Sequence, residues 1–192
     1  MKKKNFFAIL LIIFVKLFSI NLIVGETLTY EIRVLGVKAG KQITYVKNLE
    51  KISNIMTYHV YSKTSSIGWV RSIYVLDDIY EAWINTNTFL PIKLTRNLTE
   101  GKWKYKSIIF LDQKSKVARI YKNNSKQAKV LKIKNNTVDI LSMIYYFRNI
   151  ELKAEKKYNL SFYHYKKLKK FNPVILLIDL IHNHREGIWE RF

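Results

Sequence analysis

Polar and apolar side chains alternate along most of this chain, and turn residues interrupt the alternation at short intervals. In ETLTYEIRV, from Glu26 to Val34, Leu28, Tyr30, Ile32 and Val34 point one way and Thr27, Thr29, Glu31 and Arg33 the other. A period of two belongs to a strand, whose successive side chains lie on opposite faces. A turn bracketed by Gly36 and Gly40 leads to a second strand through Ile43 and Tyr45 and a third through Met56, Tyr58 and Val60. Asp77 to Lys122 shows the pattern most clearly. Leu90, Ile92 and Leu94 alternate with Pro91, Lys93 and Thr95, and Trp103, Tyr105, Ser107, Ile109 and Leu111 occupy every second position of the next run. Asn85 to Thr88, Glu100-Gly101 and Asp112 to Ser115 separate these runs. Asn and Asp favour turns because they hydrogen-bond their own backbone and tolerate left-handed dihedrals. Short alternating runs joined this way predict an antiparallel meander. Ser65 to Tyr74 is less regular and reads as one short helical turn that packs Ile67, Trp69 and Val70.

The period changes at Thr137. TVDILSMIYYFRNI predicts a helix with Thr137 as its cap, Asp139 in the first turn and Arg148 near the end, where the helix dipole favours those charges. Ile140, Ile144 and Phe147 form its expected core face, with Leu141 and Tyr145 beside them. Tyr158 to Tyr165 reads as a further strand and Lys166 to Lys170 as a charge run. The expected fold is therefore mainly β: a curved antiparallel sheet or partial β-barrel, with one helix (about residues 137–149) packed on it.

The first 25 residues differ from the rest. Lys2, Lys3 and Lys4 precede an apolar run of ten, Phe6 to Val15, too short to span a bilayer and correctly flanked for an export signal. An N-terminal anchor is the alternative. Residues 26–170 are then expected to form a single β domain, and 171–192 a divergent or truncated tail. The 192 residues suffice for one domain with a core. The absence of cysteine excludes disulfides, thiolate metal sites and a cysteine nucleophile. The net charge is +20, or +16 without residues 1–25. With 27 Lys against 7 Arg and 25 Ile against 6 Ala, much of that charge follows AT-rich codon usage rather than a binding site. It still implies weak attraction to anionic surfaces.

Chemistry is harder to find. His182 and His184 lack a third ligand at a defined spacing, so no metal site is expected. Ser142, Asp139 and His164 do not form a triad by sequence, because no nucleophile elbow surrounds Ser142. Asp77 and Asp78 read as turn carboxylates, and no glycine-rich phosphate loop is present. No catalytic residue and no cofactor is expected. The basic residues belong to no nucleic-acid module, and an export signal argues against that partner.

Three stretches, GETLTYEIRVLGVKAGK (Gly25 to Lys41), VLDDIYEAWINTNTFLPIKLTRNLTEGKWK (Val75 to Lys104) and VDILSMIYYFRNIELKAEKKYNL (Val138 to Leu160), resemble a bacterial exported family labelled domain of unknown function 3108. The most specific parts are Gly36 and Gly40, then Asp78, Tyr80, Trp83 and Leu90-Pro91, then Asp139, Ser142, Tyr146 and Arg148. The resemblance runs from Gly25 to Lys170 and ends at Phe171. It implies an export signal and an antiparallel, partly barrel-like β domain with a helix; no enzymatic activity is established for the family, so the resemblance bears on fold and compartment alone.

These observations together predict a non-enzymatic protein of the periplasm or cell envelope whose partner is a lipid or another apolar envelope molecule. An envelope enzyme is the alternative. A curved sheet crossed by a helix offers a concave face, for which Tyr30, Tyr58, Trp83 and Trp103 are candidate lining residues and Arg148 a candidate ligand contact. Fractionation of cells expressing the full gene is expected to place the protein outside the cytoplasm. A soluble, full-length cytoplasmic product contradicts the export reading.

Overall fold

The computed structural model describes residues 22–149, 160–164 and 167–170, with His164 and the last four as backbone. Eight strands pair in chain order as one antiparallel sheet that does not close. They are β1 (Thr27–Val34), β2 (Val37–Ile52), β3 (Ile55–Ser66), β4 (Leu76–Asn85), β5 (Pro91–Glu100), β6 (Trp103–Asp112), β7 (Val117–Lys122) and β8 (Lys129–Lys132). Between β3 and β4 lies the short helix α1 (Gly68–Ile73). A second sheet joins β9 (Thr137–Val138), β10 (Ser161–His164) and β11 (Lys167–Lys170), with β9 and β10 parallel. Helix α2 (Ile140–Arg148) follows β9.

The alternation of side chains produces a dry inner face. Paired positions align Val46, Val60, Ala82, Leu94, Ile109 and Ile120 in one row across β2–β7. All six are buried. Leu141 and Tyr145 of α2 and Tyr163 of β10 pack on this row. The other buried apolar side chains of α2, Met143 and Phe147, join Leu90, Val138 and Leu160 in a second cluster. The helix is thus held between two apolar groups, each built from an i, i+4 pair.

Three register shifts bend the sheet. They fall at Ile32/Arg33, Val46/Asn48 and Trp83/Ile84, so that Ala39, Lys47 and Ile92 are the extra residues. A bulge bends its strand and increases the local twist. At the first, the Ala39 carbonyl turns away from β1 and accepts from Ile67 N at 3.0 Å, which sets the start of α1.

Several local expectations change. Gly40 lies inside β2 rather than closing the turn; a Cβ there would meet the Ser65 carbonyl at 3.0 Å. The turn itself is Leu35-Gly36, both left-handed, with φ of 50° and 79°. The helix is capped by Asp139 and not by Thr137, which belongs to β9. Asp139 Oδ1 accepts from Ser142 N at 2.9 Å and Ser142 Oγ accepts from Asp139 N at 3.0 Å, a capping box. The helix starts two residues later, and packing on two clusters selects a different buried face. Ile140 is 44% exposed and Ile144 only half-buried, while Leu141, Met143, Tyr145 and Phe147 are buried. Phe147 alone of the three expected core residues is buried. Trp69 is exposed, because α1 buries none of its residues. Lys167–Lys170 of the charge run form β11, which pairs with β10. The tail with His182 and His184 lies outside the described residues.

Leu141→Ala deletes a side chain from the core and is expected to cost about 2–5 kcal/mol. Ile140→Ala is expected to change stability by less than about 0.5 kcal/mol. Thermal melting of the two variants checks the observed helix face, and equal effects contradict it.

Candidate ligand-binding groove

The face opposite α2 is open. Its rows run through Tyr61, Glu81, Thr95, Ile108 and Tyr121, and through Ile79, Asn97 and Lys106. Together with Phe110 and the Asn123–Ser125 turn they line a groove of about 740 Å3. Ile108 and Phe110 remain 44% and 40% exposed there. Tyr121 stands edge-on to Phe110, with ring centres 6.2 Å apart. The result is an apolar, aromatic floor with amides, hydroxyls, Glu81 and Lys106 around it.

A titratable network adjoins this groove. The bulge at Lys47 directs its ammonium to Glu81 Oε1, at 2.7 Å, and over the Tyr61 ring, at 4.7 Å. Thr95 Oγ1 donates to the other Glu81 oxygen at 3.0 Å. The two ring nitrogens of His59 face Glu50 and Glu81, each at 3.0 Å. His59 stacks on Trp83 at 4.2 Å, the Lys93 ammonium lies over the Trp83 ring at 3.9 Å, and Trp83 Nε1 donates to Glu50. Burial holds the His59 imidazole below its ordinary pKa of 6.5, against the Glu81 hydrogen bond and both carboxylate charges; the Lys47 charge adds to the lowering. Burial raises the Glu81 carboxyl, but the hydrogen bonds from Lys47, Thr95 and His59, with the Lys47 charge, outweigh it and bring the pKa below 4.5.

The inner face holds one cation that sequence reasoning missed. Arg96 is only 5% exposed, in register between Leu94 and Leu98. Its Nη2 donates to the Tyr163 carbonyl at 3.5 Å, and its guanidinium lies 5.2 Å from the Tyr163 ring and 5.9 Å from that of Tyr80. Among the described residues it forms no ion pair. The available signal was its parity, a basic residue at a position of the apolar register.

The five proposed site residues do not converge. Tyr58 packs against the main core. Trp83 is on the open face and Tyr58 on the inner face, because Tyr58 pairs with Ile84 and its neighbour faces the other way. Trp103 begins β6 and stacks on Tyr105 with ring centres 5.6 Å apart. Only Tyr30 and Arg148 come together, at the junction of α2 and β1. There Arg148 clamps Glu26 through two hydrogen bonds of 2.6 and 3.2 Å, and burial raises the Tyr30 pKa. Burial likewise pushes the nearby Tyr145 hydroxyl far up. This junction is a structural fastening. Ser142 and Asp139 are occupied in the capping box, and Asp77 is paired with Arg71 at 2.6 Å. Among the described residues no three His, Cys, Asp or Glu side chains converge as a metal site.

The architecture is that of an open antiparallel β protein whose inner face is filled by a capped helix and whose outer face carries a groove. The chain belongs to the family described as Protein of unknown function (DUF3108), which it matches over residues 29–176. The match continues past Lys170, where the resemblance was expected to end. Neither a curated protein nor a solved structure matches the chain.

Glu81 sets a pH dependence. A carboxyl with a depressed folded pKa contributes stability that is present above its unfolded value and lost as pH falls through the folded one. Below pH 4.5 the wild type is expected to lose melting temperature more steeply than Glu81→Gln, whose melting curve is flatter over that range. Parallel curves contradict the assignment.

Proposed function

We propose that this chain is an exported protein of the bacterial cell envelope that binds, without transforming it, an amphipathic molecule with an apolar body and an anionic head. The observation that carries the reading is the groove on the open face, where Ile108 and Phe110 stay exposed beside Tyr61, Ile79 and Tyr121. Exposed apolar side chains gathered in a concavity favour an apolar ligand. Lys106 at the groove suits an anionic group. The N-terminal basic and apolar segment supports export. The inner face supports the choice of groove: α2, Tyr145 and Tyr163 fill it.

An enzyme is the second reading, favoured by the His59–Glu50–Glu81–Lys47 network beside the groove. Against it, Glu81 already accepts from Lys47, His59 and Thr95, so its lone pairs are largely engaged.

Organic extraction and mass spectrometry of the purified protein are expected to recover a co-purifying amphipathic compound. Ile108→Asp/Phe110→Asp, at half-exposed positions, is expected to stay folded with a lower melting temperature and to carry about tenfold less of it, equivalent to about 1.4 kcal/mol of affinity. Equal recovery from both proteins excludes the groove. Conversion of the recovered compound on incubation with wild type, lost in His59→Gln, favours the enzyme.

A further inference from the structure

One end of the eight-stranded sheet carries three successive connections with exposed apolar side chains: the β1–β2 turn, α1 and the β5–β6 turn. Leu35 is 97% exposed, at the tip of a two-residue hairpin closed by the Val34–Val37 pair. Ile73 is 76% exposed on α1, beside exposed Trp69 and Tyr74. Trp103 is also exposed where the β5–β6 turn ends, and Gly101 of that turn donates to the Val75 carbonyl at 2.7 Å, so this connection meets the one after α1. Ordinary single exposed apolar residues need no explanation, but several gathered at one end of a sheet do.

The hairpin tip strengthens the case. Leu35 has φ 50°. For a side chain without a local hydrogen bond, the left-handed region costs about 1–2 kcal/mol, which is why such turns are dominated by Asn, Asp and Gly. The chain holds a Leu where those residues would relieve strain and exposed apolar surface together. Folding therefore gains nothing from it.

Charge indicates what covers this end. Lys41, Lys102 and Lys104 are exposed there and form no ion pair among the described residues. Arg33 and Lys38 share the single carboxylate of Glu31, and Arg71 takes Asp77. A second copy of the same end would bring like charges together, whereas an anionic bilayer matches both the cations and the apolar tips.

We propose that this end docks on the surface of an anionic phospholipid bilayer, with Leu35, Trp69 and Ile73 entering the interface and the lysines resting against the head groups. Trp is suited to that depth, being apolar in body with one polar N–H. The inference does not rest on the groove or on its ligand.

Because the sequence has no cysteine, single-site labelling reads out which end touches a membrane. Leu35→Cys, Ile73→Cys and Asn87→Cys, the last in the exposed turn at the opposite end, are made in the full chain and labelled with an environment-sensitive fluorophore. Vesicles of phosphatidylcholine with phosphatidylglycerol are expected to raise and blue-shift emission at positions 35 and 73 and to leave position 87 unchanged, with little response to phosphatidylcholine alone. Equal responses at all three positions, or none, overturn the proposal. So does a change at position 35 that follows protein concentration without vesicles, the mark of self-association. Unlabelled Leu35→Asn/Ile73→Ser is expected to melt no lower than wild type and to bind these vesicles at least about tenfold more weakly. Undiminished binding also overturns it.

Discussion

The inner face of an open sheet has to be kept dry, and nearly every other feature of this protein follows from how that is done. A closed barrel covers its own interior; eight strands that do not close cannot. Here α2 and β10 cover the row from Val46 to Ile120. A helix of nine residues would not be stable alone in water. Its four buried apolar side chains, each contributing about 1.5–3 kcal/mol when taken out of water, supply what helix propensity does not. The Asp139–Ser142 capping box holds one end and the Arg148–Glu26 clamp the other. Glu26 lies just before β1, so the clamp ties the helix to the first strand across most of the chain.

The covered face and the open face consequently have different chemistry. Polar groups on the inner face are costly unless they find partners, and Arg96 shows the constraint: it is buried against two tyrosine rings and one carbonyl. On the open face the charges find one another, and Lys47, Glu81, His59 and Glu50 gather, partly buried, where the strands bring them together. The bulge at Lys47 matters to both faces. It bends the strand around the core and gives one extra residue whose side chain reaches across to Glu81. Curvature and the charged network therefore have a common origin.

The two ends of the sheet also differ. At the end with Asn85 to Thr88, side chains serve their own turns: Asn85 Oδ1 accepts from Asn87 N and Thr88 N. Asp112 does the same for Lys114 and Ser115. At the other end Leu35 and the α1 residues Trp69 and Ile73 are left with water. Leu35 relieves no backbone strain and Trp69 packs in no core.

Much of the fold could be read directly from the chain. Alternation in β1 and β6 identified the faces of those strands, because a period of two depends only on local geometry. Asn, Asp and Gly located the turns for the same reason, and the change of period announced the helix. Faces were lost where the count was interrupted. Capping by Asp139 instead of Thr137 moved the helix start by two residues, and packing of the helix between two clusters left Ile140 exposed. The single extra residues Lys47 and Ile92 shift parity along a strand, and no side-chain pattern reveals a bulge before its partner strand is known. Pairing placed Tyr58 and Trp83 on opposite faces, separated Trp103 from both, and joined Tyr30 to Arg148. The groove, the His59–Glu81 network and the burial of Arg96 each require strands distant in sequence to meet in one register. The sequence by itself determined which segments are strands and which is helix, since those depend on near neighbours. Only the tertiary structure decided which side chains share a surface, because register is set by contacts between strands.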